Sequence, residues 1–267
     1  MKVLINICKK TLLFITLLLF LSIILISIFL YPTIKEGYQL SLEKENYINY
    51  KTFNLLTNET MVDGEGNSLS KIVKENNNYK YLKYNHFPEK MIKGYIAVED
   101  KRFLSHNGID YISIGRAGIS IIKNNGKITQ GGSSITQQLV KNTLLTQERT
   151  LLRKIAEFLL TYKVEDKFSK NDILEFYLNT NYYGHGCYGV YSISQKLYGK
   201  EPKNLEIDEI AMIVGLSNGP ALFDPIRHPE AAINKRNFVL SEMLSQNIIS
   251  EKEYNISIKK ELNIKTN

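Results

Sequence analysis

GGSSITQQLVKNTLL, Gly131–Leu145, is the stretch on which the fold turns. Ser133 reads as the N-cap of a helix running to Leu145, since a short hydroxyl side chain can satisfy an orphan N–H of the first turn. Two glycines before a capped helix let backbone N–H groups approach an anionic ligand, and Gln138 and Lys141, at i and i+3, share one face. The glycine spacing and the missing Gly-Lys-Ser/Thr ending exclude a P-loop; the plain alternative is a polar helix with an ordinary start. Downstream, Arg149–Lys167 reads as a longer helix, and Ser169 with Asp172 opens the next in a shortened capping box. Helices over Glu206–Leu216 and Pro229–Gln246 follow, and Ser250 with Glu253 caps a last one. Upstream, Met91–Asp100 and Ile109–Ile122 are helical, and strand signals are weak throughout. The fold is expected to be mainly α.

Polar residues gather where structure alone would not need them. In VEDKRFLSHNG, Val98–Gly108, Glu99 and Asp100 end an apolar helix, where the negative end of the helix dipole disfavours acids. Partial desolvation beside Val98 and Phe103 would make such a carboxylate a better base; the competing reading is a surface acid paired with Lys101 or Arg102. Arg153 and Glu157 stand at i and i+4 in the weaker orientation, on a face shared with Ala156 and Leu160, which implies a partly buried pair. In ILEFYLNTNYYGHGCYGV, Ile173–Val190, Tyr177, Asn179 and Asn181 precede a loop whose glycines permit tight geometry. Its aromatics either stack on sugars or pack the core. His185 reads as a loop residue, and scattered His86, His106 and His228 with a lone Cys187 offer no metal-ligand spacing.

The first thirty residues place the chain. Thr11–Tyr31 carries no charge, and at about 1.5 Å per residue it spans a bilayer core of about 30 Å. Lys2, Lys9 and Lys10 before it put the N-terminus in the cytoplasm and the rest outside, as a single-pass protein of the cell membrane with an extracellular domain. The apolar run is too long for a signal peptide, and YPTIKEG after it lacks a small-residue cleavage pattern. Cys8 and Cys187 then cannot pair, so the outer domain depends on its core. The net charge of +7 leaves +4 outside once those lysines are set aside, which suits anionic headgroups or a phosphorylated substrate and not nucleic acid. The expected organisation is a tail (1–10), an anchor (11–31), a polar stalk (32–79) with a turn at Asp63–Asn67, a domain (80–246) and a C-terminal helix with tail (247–267).

Together, EDKRFLSHNG, GGSSITQQLVKN, RKIAE, ILEFYLNTNYYGHGCYG and NGPALFDPIRHPEAAINKRNFVL resemble, in order, the motifs of the peptidoglycan glycosyltransferases, glycosyltransferase family 51, and their monofunctional members in particular. The resemblance covers about Lys80–Leu244 and implies a lysozyme-like glycosyltransferase domain with a membrane-facing lobe, preceded by one transmembrane helix. It implies Glu99 as the base for the acceptor 4-hydroxyl and Glu157 as a second acid near the donor. Lys141 and Arg153 would hold the donor pyrophosphate, while Asp100, Phe103, His106, Ser133 and Gln138 shape the cleft. The implied substrates are lipid II and the nascent glycan strand, with membrane lipid and other cell-wall synthesis proteins as partners. A divalent cation, Mg2+ or Mn2+, could assist the pyrophosphate, but no dedicated cage is evident, and no organic cofactor is implied. Ser134, Leu104 and Cys187 depart from the common pattern without touching a proposed charge. Ser-x-x-Lys matches occur without Lys-Thr-Gly or Ser-Asp-Asn, so no transpeptidase is expected.

Two other functions fit parts of the pattern. Glu99 and Glu157 could form the carboxylate pair of a muramidase, although a neutral glycosidic bond gives Lys141 and Arg153 no task. A non-catalytic glycan binder would be indifferent to Glu99. The apolar helix Ile109–Ile122 is either core or a segment dipping into the outer leaflet, with Lys123 and Lys127 at headgroup level.

Overall fold

The structure, a computed structural model, describes residues 2–58, 61–62, 66, 68–75, 79–124 and 131–265. Eleven α-helices occur among them. In chain order α1 is Lys2–Glu45, α2 Leu69–Glu75, α3 Glu89–Glu99 and α4 Tyr111–Lys123. Next come α5 (Ile135–Leu144), α6 (Leu151–Lys167), α7 (Lys170–Thr180) and α8 (Gly189–Tyr198). Last are α9 (Ile207–Leu216), α10 (Pro229–Ser245) and α11 (Glu251–Ser257). Among the described residues the only extended pairings are the isolated bridges Val62–Ser68 and Tyr182–Tyr188, so the domain is mainly α as expected. The turn read at Asp63–Asn67 falls mostly outside the described residues, as does Lys127.

Capping chemistry sets the helix starts. Ser169 and Ser250 cap α7 and α11 in reciprocal boxes with Asp172 and Glu253, as their spacing implied. For α5 the N-cap is Ser134, one residue later than read from sequence. Its Oγ accepts from the Gln137 backbone N–H at 3.1 Å, and the Gln137 side chain returns to the Ser134 N–H at 3.2 Å. The Ser134 hydroxyl also donates to the Gly108 carbonyl, an inward partner that leaves Ser133 exposed.

Buried faces of α3, α5, α7, α8, α9 and α10 share one core, which includes Tyr95, Leu139, Phe176, Ile213 and Val239. Each such side chain contributes about 1.5–3 kcal/mol on burial. α9 is buried along nearly its whole length between α3 and α10, and α5 packs between α6 and α7. These contacts bring the C-terminal end of α3 to α5 and to the end of α9.

The described residues of the stretch 32–79, expected as a stalk, are built into the body. α1 continues past the apolar segment to Glu45 and lies along α6. Ile48 and Phe53 enter the main core, where Phe53 stacks on Phe176 with centroids 4.8 Å apart. Leu55, Met61, Leu69 and Val73 form a satellite cluster that Tyr188 packs against. Abundant Asn, Lys and Glu mask these few apolar anchors. The C-terminal segment is likewise tied down: buried Arg236 donates to the Lys260 carbonyl at 2.7 Å, and the Lys265 N–H to the Leu197 carbonyl at 2.7 Å.

α4 has no buried residue. Tyr111, Ile112, Ile119 and Ile122 are all more than half exposed, and the apolar part of α1 is entirely uncovered. Of the stretch Ile109–Ile122, Ile109 is core at 2% exposed, whereas the core reading fails for the helix that follows it.

Candidate active site

Glu99 is the last residue of α3 and half-buried. Both carboxylate oxygens are held: Gln138 Nε2 donates to Oε2 at 3.0 Å and Ser217 Oγ to Oε1 at 2.7 Å. The Gln138 amide is oriented in turn, because Tyr177 donates its hydroxyl to Oε1 of Gln138 at 3.2 Å. Burial, reinforced by the Glu99 charge, pushes the Tyr177 hydroxyl well above its ordinary range, so it stays a donor.

Ser217, which the sequence reading missed, has a second acceptor. Its Oγ lies 2.6 Å from the Val214 carbonyl oxygen, and one hydroxyl proton cannot serve both. When Glu99 is ionised the proton points to the carboxylate. When Glu99 carries a proton, it donates to Ser217 Oγ while Ser217 donates to Val214. A group that must accept a proton in a reaction thereby keeps a partner in both states.

Asp100, Phe103 and His106 pack together behind Glu99, between α3 and α5. Buried Asp100 accepts from His106 Nε2 at 2.9 Å and from the Ile135 N–H, at the positive end of α5, at 3.1 Å. Phe103 is fully buried, edge-on to His106 and under the Lys170 ammonium at 4.3 Å. The three brace α3 against α5, which carries Gln138.

Glu157 is 2% exposed and paired with Arg153 and Lys154. Gln137 Nε2 adds a hydrogen bond at 3.1 Å. Gln137 and Gln138, adjacent on α5, thus each reach one of the two acids. The partly buried Arg153–Glu157 pair is as the helical spacing implied, whereas Lys154 and Gln137 were not singled out. Arg153 also donates Nε–H to the Glu148 carbonyl at 2.6 Å, and Lys154 reaches exposed Ser133 at 3.4 Å.

Lys141, one turn after Gln138, has no hydrogen-bond or ion-pair partner among the described residues. Burial lowers its pKa from the ordinary 10.5; Glu157 acts in the opposite sense, and Arg153, Lys154 and Arg149 lower it further. Cations outnumber acids here, so an anion would relieve their repulsion.

Lys141, Gln138 and Ser217 line one cavity of about 720 Å³. Its other walls are the satellite cluster and the loop after α7, from which Tyr182 and Tyr188 present rings 4.9 Å apart. A second cavity of about 610 Å³ shares Met61, Val62, Asn142 and Gln147 with the first and extends to Arg153 and to Lys44 of α1. In the loop, Gly189 has φ +76°, and a Cβ there would stand 2.7 Å from the Asn179 carbonyl oxygen. His185, also left-handed at φ 51°, is held by Asp224 at 3.0 Å. Asn179 is structural: its amide bridges the Leu82 N–H and carbonyl, both at 2.8 Å.

Asp100, His106 and Asp110 bring three donor atoms within 4.8 Å of one another. They do not fit a divalent cation. Asp110 is paired with Arg102 and caps α4; burial pushes its carboxyl up, but hydrogen bonds from Arg102 and Ser113 prevail and hold it at about 2. A guanidinium already on the ligand set repels a metal, and Asp100 is committed to α5 and His106.

Residues 65–244 match the model of the transglycosylase family. The chain is 44% identical over 185 residues to penicillin-binding protein 1A of Aquifex aeolicus, covering 69% of this chain and 25% of that protein. It is 33% identical over 250 residues to penicillin-binding protein 4 of Bacillus subtilis, covering 91% of this chain and 40% of the relative. Against the solved structure of penicillin-binding protein 1A from Haemophilus influenzae the TM-score is 0.42 at 20% identity, over 70% of this chain and 18% of that one. The chain spans a quarter of the first of these curated relatives and two fifths of the second.

Proposed function

The chain belongs to the transglycosylase family, and on that footing we propose that it is a membrane-anchored peptidoglycan glycosyltransferase that polymerises lipid II. The observation that carries this reading is one cavity shared by a half-buried Lys141, unpaired among the described residues, and by the two residues that hold Glu99. Inverting transfer from a lipid diphosphate needs a base for the incoming hydroxyl and fixed positive charge for the departing anion.

In the proposed reaction the acceptor's 4-hydroxyl oxygen attacks the donor's anomeric carbon from the face opposite the diphosphate. The new O–C bond forms as the C–O bond to the diphosphate breaks, turning an α donor linkage into a β-1,4 product. Glu99 takes the hydroxyl proton, and Ser217 turns its own proton to the Val214 carbonyl as Glu99 becomes a donor. The electron pair leaves with the diphosphate toward Lys141, with Arg153 and Lys154 behind it. Glu157 is best read as a positioning residue: a buried anion that holds both flanking cations on one side of α6. General-base catalysis contributes about 10²–10⁴-fold, and removing one preorganised donor costs about 10²–10³-fold. A muramidase would give these cations no leaving charge to stabilise.

The exposed apolar faces of α1 and α4 support a domain seated on the outer leaflet, with the lysine-flanked N-terminus inside. Supplying purified protein with lipid II should release undecaprenyl pyrophosphate and long glycan, and Glu99→Gln should abolish both. Fragments released from intact wall would point instead to a muramidase, and neither product to a binder.

A further inference from the structure

α1 joins the bilayer to the site, and the register of its contact with α6 sets a height. Its apolar stretch Thr11–Tyr31 is about 31 Å long, the thickness of a hydrocarbon core. Gly37 follows Tyr31 by six residues, about 9 Å further along the same helix, which runs on through Pro32. There the helices touch closely: a Cβ on Gly37 would stand 2.9 Å from the Ile155 side chain and 2.9 Å from the Leu152 carbonyl oxygen. Arg153 and Lys154 lie between those two contact residues. The Lys163–Glu45 ion pair at 3.0 Å and a Lys167 hydrogen bond to the Ile48 carbonyl at 2.5 Å tie the far end of this contact.

The chemistry of α1 marks the interface at the same level. Tyr31, Ile34 and Tyr38, spaced along one helical stripe, are 63%, 48% and 49% exposed. Tyr31 stands at the headgroup boundary, where tyrosines settle, and Tyr38, about 10 Å further along the helix, stands level with the Gly37 contact just beyond it. A bilayer measures about 30 Å across its core and about 40–45 Å with headgroups, so each headgroup layer is about 5–7 Å deep. The Gly37 contact stands just above that layer, and a tilt of about 20° lowers it by only about 1.5 Å.

Building on the function proposed above, we infer that α1 is a spacer of fixed length, with Gly37 as its positioning residue. It holds Arg153, Lys154 and Lys141 within a side chain's reach of the outer leaflet's phosphate layer. A diphosphate still attached to a membrane-buried polyprenyl chain then meets these cations without its chain leaving the bilayer.

The test uses the full chain in liposomes. Seven hydrophilic, helix-forming residues inserted between Tyr31 and Pro32 would raise the site by about 10 Å and restore the helical face to within about 20°. With lipid II embedded in the bilayer, the polymerisation rate should fall about tenfold or more, while in detergent micelles, where depth has no meaning, it should stay within about twofold. A fluorophore on Leu151→Cys, with Cys8→Ser and Cys187→Ala, should be quenched by headgroup spin-labelled lipid, and the insertion should remove most of that quenching. An unchanged liposome rate, an equal loss in liposomes and micelles, or unchanged quenching would each overturn the inference. An uninserted protein inactive in both media, yet quenched as expected, would sink the proposed activity and leave the height standing.

Discussion

Ser217→Ala isolates the least anticipated part of the site. The substitution removes the hydroxyl that donates to Glu99 Oε1 at 2.7 Å and leaves the Gln138 amide as the carboxylate's remaining partner. A hydrogen bond to a charged group contributes about 1.5–3 kcal/mol, and each 1.36 kcal/mol is tenfold in rate, so the bond is worth about 10- to 150-fold. Water entering from the adjoining cavity restores part of it, and the expected loss is about tenfold. The loss should fall on kcat, with KM within about twofold, because Ser217 orients the base and does not bind the diphosphate. The fold should survive: losing the contact with the Val214 carbonyl costs about 1 kcal/mol, or a Tm decrease of about 2–4 °C. The assay is initial-rate glycan synthesis from lipid II over a range of concentrations, with thermal melts in parallel. Ser217→Thr, which keeps the hydroxyl, should retain most activity. A wild-type kcat for Ser217→Ala, or a change confined to KM, would refute the assignment.

Lys141→Ala should lower kcat/KM by about 10²–10³-fold in the same assay. Because burial lowers the pKa of Lys141 and the cation is the working form, the alkaline fall of wild-type kcat/KM should begin below 10.5, and Lys141→Arg should move it upward. A charge that is costly to bury should also make Lys141→Met more stable than wild type below the folded-state pKa; the gain shrinks as pH rises and is gone above 10.5, where both states are neutral. Gly189→Ala should destabilise the domain by more than the 1–3 kcal/mol of a strained backbone, since φ is +76° and the new Cβ meets the Asn179 carbonyl oxygen at 2.7 Å, whereas Gly186→Ala, at φ +70° with open space, should incur strain alone; chemical denaturation compares them. Ile119→Ser with Ile122→Ser on α4 should weaken liposome binding of a chain lacking residues 1–31, and unchanged flotation would reject α4 as a membrane-facing segment.

Local chemistry carried much of this protein in its order of residues. A run of uncharged residues long enough to span a bilayer, serines spaced to cap helices, and an acid at the wrong end of a short helix all depend on neighbours within one or two turns. Glu99, Gln138, Lys141, Arg153 and Glu157 were visible for that reason. Ser217 was not, because an isolated serine ending a helix has no local signal, and its importance arises where α9 packs against α3. The same holds for the paired glutamines, each reaching a different acid, for Lys154 as the second partner of Glu157, and for Asp100, Phe103 and His106, which brace the site from behind. The polar stretch after the anchor read as a stalk because composition averages over the few side chains that matter. Ile48, Phe53 and Leu55 become core only against partners more than a hundred residues away or in a satellite cluster. Spacing along a chain reports what a helix can present, and packing between helices decides which of those groups meet.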